Sequence, residues 1–439
     1  MGRLKRIVVN MALLLAIGLL LAGWMLLPWY GALVGAVALG LWLVLARSGR
    51  LAATATRLGL ASLPQRWGAS LVIVIGIAGV VGVLVAMLAM GEGFASTLRG
   101  TGSEQSAILL RGGSQAETNS VITRDQGVLI PSLPGIARDD EGRPLVSPEL
   151  SQIINLPSMA DGSDANAQLR GVGPAAWRIR PQVRIVKGRA FEPGRREVVV
   201  GRGAQQQFRG LEIGKTLRVG NQDWQVVGVF QSDGDAHESE LWSDAEVVGN
   251  AYRRSAWQSV TVALEGRDGL ERLLAALAAD PRLRLDAETT RHYYGKQSGQ
   301  LKTLLDVLGR VIGSIMAIGA VFGALNSMYA AVAGRAREIA TLRAIGFRGG
   351  PVVVALMLET MLLALVGGVL GAGLAWLVFN GYSVSTLGQN FSQVVFQFRV
   401  SPELLWTGLK WALGIGLVGG LFPALRAARM PVTDALRAV

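Results

Sequence analysis

The chain has 439 residues, 51% of them hydrophobic and only 17% charged, with a mean hydropathy of +0.39; so apolar a composition excludes an ordinary soluble domain and describes an integral membrane protein. A net charge of +12 invites a nucleic-acid reading, yet no sustained basic tract carries interleaved aromatics and much of the arginine flanks apolar segments, so positive-inside bias accounts for it and nucleic acid is excluded. With no cysteine there is neither a disulfide framework nor a thiolate metal site.

Arg3, Lys5 and Arg6 lead an apolar run over 7–27, long enough to cross a hydrocarbon core. A signal peptide is the rival reading, disfavoured by the length of the run and by Pro28-Trp29-Tyr30, which has the character of an interfacial turn. A second run over 31–45 returns to Arg47, Arg50 and Arg57, so 1–49 is expected to be a membrane hairpin. Residues 50–66 follow as an amphipathic helix along the interface, ending at Pro64 and Arg66, and 67–90 is a third span. The long polar region 91–297 belongs in water, on the side away from the arginine-rich ends. Its β-branched and aromatic runs at 197–200, 216–219, 224–230 and 259–264 predict strands, and Leu270, Leu273, Leu274 and Leu277 predict a helix over 269–279.

Residues 298–334 contain no proline and are too long for a bilayer, so part of this helix is expected to stand outside as a stalk. Leu301, Leu304, Leu305, Leu308, Val311 and Ile312 form its expected seam, with the start of the soluble region, 92–98, as partner. Next comes a short charged stretch, 335–348. In it Ile339, Leu342 and Ile345 recur at helical spacing, Arg335, Arg337, Glu338 and Arg343 supply the polar surface, and Gly346 occupies the helix end. By composition alone this is a topology anchor. A span over 352–380, an external loop over 381–403, a span over 404–425 opened by Ser401-Pro402-Glu403, and an intracellular tail, 426–439, complete the chain.

Chemistry is sparse. Gly210-Leu211-Glu212-Ile213-Gly214-Lys215-Thr216 ends like a phosphate loop but is one residue short and leads into a strand, so a β-turn is expected. His237, among Asp233, Asp235, Glu238 and Glu240, matches no metal-site spacing and is read as a solvated loop or a docking surface for a basic partner; His292 is read as interfacial. No catalytic, cofactor-binding or metal-binding residues are assigned, and an enzyme reading finds no support. Asn326 and Glu359 fall inside apolar spans, where proton relay competes with interhelical hydrogen bonding or a capped interface with the charged stretch; the second is favoured. Gly319, Gly323, Gly367, Gly371, Gly416 and Gly420 offer small faces for close packing.

R-A-R-E-I-A-T-L-R-A-I-G at 335–346, preceded by Asn326-Ser327-Met328 and followed by Glu359, Gly367, Gly368 and Gly371, resembles the FtsX/MacB family of ABC-transporter permeases, the type VII mechanotransmission class. The tail from Pro423, P-A-L-R-A-A-R-M-P-V-T-D-A-L-R, is similar to that family's carboxy-terminal signature. The resemblance implies an α-helical bundle in a bacterial inner membrane, with four of six spans as permease core and the 1–49 hairpin as an addition. It further implies a periplasmic two-lobed α+β domain, porter-like with an inserted β-rich lobe near 186–257, and a coupling helix at 335–348 docked to a separate ATPase that holds ATP and Mg. Other implied partners are a second copy of the chain, membrane lipid, a periplasmic adaptor and an outer-membrane channel, all serving efflux. Two alternatives stand beside efflux: an FtsX-like regulator of a cell-wall hydrolase, and a lipoprotein-sorting or ligand-sensing permease.

Overall fold

The computed structural model describes residue 11 and residues 18–61, 63–219, 222–344, 349–388 and 392–430. The chain divides into a membrane unit, Met1–Met90 with Leu305–Asn380 and Arg399–Val439, and a sheet unit, Gly91–Leu304 with Gly381–Phe398. Acidic and basic side chains are equal in number in the sheet unit, so the whole net charge of +12 belongs to the membrane unit. That is the distribution positive-inside bias requires.

Helices α1 (Gly18–Leu26) and α2 (Trp29–Leu45) meet at 116° across Leu27-Pro28. The expected amino-terminal hairpin of two full spans lies partly outside the described residues, and α2 is only 17 residues long. Four described helices are long and apolar enough to cross a membrane, or five if α1 and α2 together count as one span; six were expected, the first of them falling partly outside the described residues. Helix α3 (Arg47–Ala61) is amphipathic as expected, turning the small residues Ala52, Ala55 and Gly59 inward. After the turn Leu63–Arg66, α4 (Trp67–Thr101) runs 35 residues without a proline to stop it.

The sheet unit is built on one ten-stranded mixed sheet: β1 (Ser106–Arg111), β2 (Val146–Pro157), β3 (Asp164–Val172), β4 (Arg184–Gly188), β5 (Glu197–Gly201), β6 (Thr216–Val219), β7 (Gln222–Gln231), β8 (Glu240–Asp244), β9 (Ser259–Ala263) and β10 (Leu285–Thr289). Helices α5 (Arg124–Leu129), α6 (Ala176–Ile179), α7 (Arg202–Gln207), α8 (Ala245–Ala251) and α9 (Gly269–Ala279) connect them. The order is β10-β1-β9-β2-β3-β8-β5-β7-β4, with β6 on β7. A two-lobed α+β domain was expected; the described strands of both parts join in this one sheet. Strand β2 pairs with β9 over Val146–Glu149 and with β3 over Leu150–Pro157, so one strand belongs to both halves. One hydrophobic core runs across the join, from Leu109 and Val260 to Val198, Val226 and Trp224, and a second cluster gathers Val172, Val199, Phe230 and Trp242. The phosphate-loop look-alike is the expected turn: Gly214 has φ +86 and leads into β6.

Helix α10 (Thr290–Gly334) runs 45 residues, about 68 Å at 1.5 Å per residue and over twice a hydrocarbon core of about 30 Å. Short α11 (Ala336–Ala344) follows, then α12 (Gly349–Phe379), an unforeseen hairpin of β11 (Ser383–Leu387) on β12 (Gln393–Gln397), and α13 (Pro402–Arg429), capped by Ser401 as expected. In the membrane unit, Gly371 faces the Ala78 carbonyl where a Cβ would sit 2.4 Å away, and Gly420 faces Thr360 Oγ1 at 2.2 Å, so α4, α12 and α13 pack at backbone distance. Gly319 and Gly323 have open space beside them, unlike Gly367, Gly371, Gly416 and Gly420.

The stalk seam needs a correction. Leu305 is buried, but Leu304, Leu308, Val311 and Ile312 are exposed and Leu301 is half-buried. The face turned to α4 is Leu305, Gly309 and Gly313, with Cβ positions of the two glycines 3.0 Å from Met87 and 3.1 Å from Leu84. Spacing of four selects this row, and glycine lets the axes approach. Within the sheet unit α4 meets α10, where the start of the soluble region was expected to: Glu92 accepts from Lys302 of α10 at 3.0 Å.

Candidate coupling site

The charged stretch forms α11, and its polarity divides by face. Ile339 and Ala340 are buried, whereas Arg337, Glu338 and Thr341 are exposed. The side chain of Leu342 and all of Gly346 lie outside the described residues. Arg343 donates to the carbonyl of Met430, tying α11 to the end of α13.

At the α10–α11 break, Arg335 is 12% exposed, and its Nε donates to Glu338 at 3.0 Å. Its Nη1 donates at 3.1 Å to Oε2 of Glu359, which is 3% exposed. Arg66, at the end of the turn after α3, supplies Nη2 to Oε1 of Glu359 at 3.1 Å. Gly59 of α3 closes the site: a Cβ there would stand 2.9 Å from Glu359 Oε2 and 3.4 Å from Arg335 Nη1. Both carboxylate oxygens therefore accept from guanidiniums, which makes Glu359 of α12 a cross-link between the turn after α3 and the α10–α11 break, whose Arg335 also binds Glu338 of α11. Asn326, the other polar residue expected to matter, is exposed on α10. Sequence reasoning singled out Glu359 and Arg335 but missed Arg66, Gly59 and Met430. Their signal was weak, since an arginine at an interface and a glycine in an amphipathic helix are both common.

Gly59→Leu should push the carboxylate off Arg335. We expect intact insertion but a lower melting temperature of the purified protein, by several degrees, read against Gly59→Ala as the milder change.

A second contact binds the amino-terminal helices to the core. Lys410, inside α13, donates from Nζ to the Met25 carbonyl at 2.8 Å, and Trp24 Nε1 donates to the Lys410 carbonyl at 2.9 Å. The last carbonyls of α1 have no helical partner, and a lysine ammonium at that depth needs an acceptor, so each answers the other's need. Lys410→Met should loosen this pair: cross-linking of Leu21→Cys to Gly414→Cys by a short bis-maleimide, specific in a cysteine-free chain, is expected to fall while α11 is unaffected.

The sheet unit holds a larger ion cluster that sequence reading mistook. Arg170 in β3 spends all its N–H groups on Glu117 (2.9 and 3.1 Å), Glu149 (3.0 Å) and Glu240 (2.9 and 3.0 Å). Arg180 adds two bonds to Glu149, at 2.7 and 3.0 Å. His237, read as part of a solvated loop, is 1% exposed, with Nδ1 3.1 Å from Glu240 Oε2, and Asp235 is buried beside it. Of that loop's acids, Glu240 serves Arg170, Asp235 and Glu238 accept from the loop's own amides, and Asp233 is exposed. His292 is exposed, with Nε2 3.6 Å from Glu288. Among the described residues no group of histidine and acidic side chains is placed to hold a metal.

Burial alone would raise Glu149 and Glu240; the guanidiniums of Arg180 and Arg170 overcome it and hold both carboxyls below the ordinary range. Burial raises Asp235, against the pull of His237 and Ser232. A depressed carboxyl contributes stability above its unfolded value, near 4.3, that is lost as pH falls through the folded value, whereas a raised one acts in the opposite sense. With two strongly paired glutamates against one aspartate, the sheet unit should lose thermal stability on acidification below about pH 4. Melting temperatures that do not fall there would contradict this.

Residues 70–280 match the family model described as the MacB-like periplasmic core domain, and 310–432 match the FtsX-like permease C-terminal model. Two similar relatives are the macrolide export ATP-binding/permease protein MacB of Vibrio parahaemolyticus, 24% identical over 72% of this chain and 48% of that protein, and its namesake in Neisseria gonorrhoeae, 26% identical over 62% and 44%. The chain spans about half the length of the curated relatives it matches. Among solved structures, the periplasmic region of MacB from Actinobacillus actinomycetemcomitans aligns with a TM-score of 0.34 at 16% identity, covering 45% of this chain and 94% of that one. The extracellular domain of the noncanonic ABC-type transporter YknZ aligns at 0.32 and 15%, covering 42% and 99%. A bundle of long apolar helices joined to a mixed-sheet domain of the periplasmic-core type defines a membrane protein of the permease class. The chain belongs to the FtsX/MacB-like family of ABC-transporter permeases.

Proposed function

We propose that the chain is the membrane subunit of an ATP-driven complex in the bacterial inner membrane, in which a separate cytoplasmic ATPase, holding ATP and Mg, acts on α11 and the tail and thereby moves the sheet unit. The observation that carries this reading is the Glu359 cross-link. A helix presenting Arg337 and Glu338 outward is chained through Arg335 to α12 and, through Arg66, to the turn after α3. A displacement of α11 then reaches α12 and the turn after α3 through these ion pairs.

A second copy of the chain fits the exposed apolar face of α10 in the membrane unit, where Val307, Val311, Ile315, Ile318 and Phe322 stand out beside the open Gly319 and Gly323. Efflux with an adaptor and an outer-membrane duct is the working assignment of the output, supported by relatives named for macrolide export. The test is a Glu338→Ala, Arg343→Ala double variant coexpressed with the ATPase. Loss of ATP-dependent output at unchanged protein level is expected; unchanged output overturns the assignment of α11. Copurification then separates the outputs, an adaptor marking efflux and a cell-wall hydrolase or lipoprotein chaperone marking the alternatives.

A further inference from the structure

Three segments of the sheet unit are continuous with membrane helices: the end of α4, the start of α10, and the β11–β12 hairpin between α12 and α13. All three meet one loop. Thr101, the last residue of α4, accepts at Oγ1 from the Ala236 amide at 2.9 Å and donates to the Thr97 carbonyl at 2.9 Å. Tyr294, in the first turns of α10, sets its ring edge-to-face against His237, with centroids 6.0 Å apart. The Val395 amide of β12 donates to Ser239 Oγ at 2.8 Å.

This loop, Ala236–Ser239, is itself rigid. Asp235 caps it by accepting from the His237 amide at 2.9 Å and from Ser232 Oγ at 2.7 Å, and Glu238 accepts from the Ser232 and Gly234 amides. It leads directly into Glu240, which grips Arg170 and takes a bond from Trp242 Nε1 at 2.7 Å. Arg170 in turn binds Glu149 of β2, the strand shared by both halves of the sheet. A loop needed only for burial would have no reason to spend separate contacts on each membrane-connected segment.

We infer that Ala236–Ser239 is the receiving point of the sheet unit, where displacements of α4, α10 and the β11–β12 hairpin are combined and passed through Glu240 and Arg170 to the sheet. This rests on the mechanical reading above. Thr101 and Ser239 act here as positioning residues, each through one hydroxyl, and a cavity of about 30 Å³ lined by Leu98, Gln168, Tyr294 and Val394 leaves the joint room to shift.

The experiment follows hydrogen–deuterium exchange in the full chain bound to its ATPase, comparing the nucleotide-free complex with the complex trapped by ATP and vanadate. The parent protein is expected to change its exchange at β3 and β8. In Thr101→Val with Ser239→Ala that change should shrink roughly tenfold, corresponding to about 1.4 kcal/mol of coupling, with the ATPase rate preserved. Thr101→Ser with Ser239→Thr keeps both hydroxyls and should keep the response, which separates transmission from folding. A full response in the hydroxyl-free variant, with the Glu338→Ala, Arg343→Ala control silent, overturns the receiving point and leaves the mechanical reading standing. No response in the parent overturns both.

Discussion

Arg170→Met should be the most damaging single change in the sheet unit. It removes the one group that binds three carboxylates, Glu117, Glu149 and Glu240, all under 10% exposed, and Arg180 can reach only Glu149. Breaking a buried pair by deleting one partner costs about 3–5 kcal/mol, because the desolvated charge left behind has no answer. We expect the sheet unit to melt well below the parent or to expose protease sites across β2, β3 and β8. A variant that also converts Glu117 and Glu240 to glutamine should recover part of the loss, since neutral amides no longer need a counter-ion. Equal melting of Arg170→Met and the parent protein would show the cluster to be energetically idle.

Glu359→Ala should rank next, and its effect is of a different kind. Arg335 and Arg66 would lose their shared acceptor, but they are 12% and 22% exposed, so water and headgroups recover part of the energy. A loss of about 2–3 kcal/mol is expected, smaller than at Arg170. The larger consequence is functional, since α11 would no longer be chained to α12. ATP hydrolysis by the bound ATPase should continue while output is lost. Glu359→Asp, too short to span both arginines, should give an intermediate result. Output that survives Glu359→Ala in full would refute the cross-link as the route of coupling.

Periodicity was decisive where one element faces one environment. The coincidence of expected and observed limits at Gly269–Ala279, the turn before Thr216 and the Ser401 cap all depend on residues within one or two turns of each other. The stalk shows where that reasoning stops. Its apolar residues cover more than one face of a helix, and only the glycines at 309 and 313, invisible to a count of leucines, show which face meets α4. The acidic loop around His237 was misread for a related reason: a charge counted along the chain reads as solvated, while its partner, Arg170, lies far away in sequence.

The amino-acid sequence by itself determined that this is a membrane protein with a large polar insertion, that α11 is a charged helix between two spans, and that the chain resembles a permease driven from elsewhere. These follow from composition, local periodicity and residue order, which need no knowledge of distant neighbours. Only the tertiary structure decided that the polar region shares one sheet through β2, that Glu359 joins Arg66 to Arg335, and that α1 is held by Lys410. Those are pairings between residues tens to hundreds of positions apart, where the cost of burying a charge or a backbone carbonyl is met by a partner that local sequence cannot name.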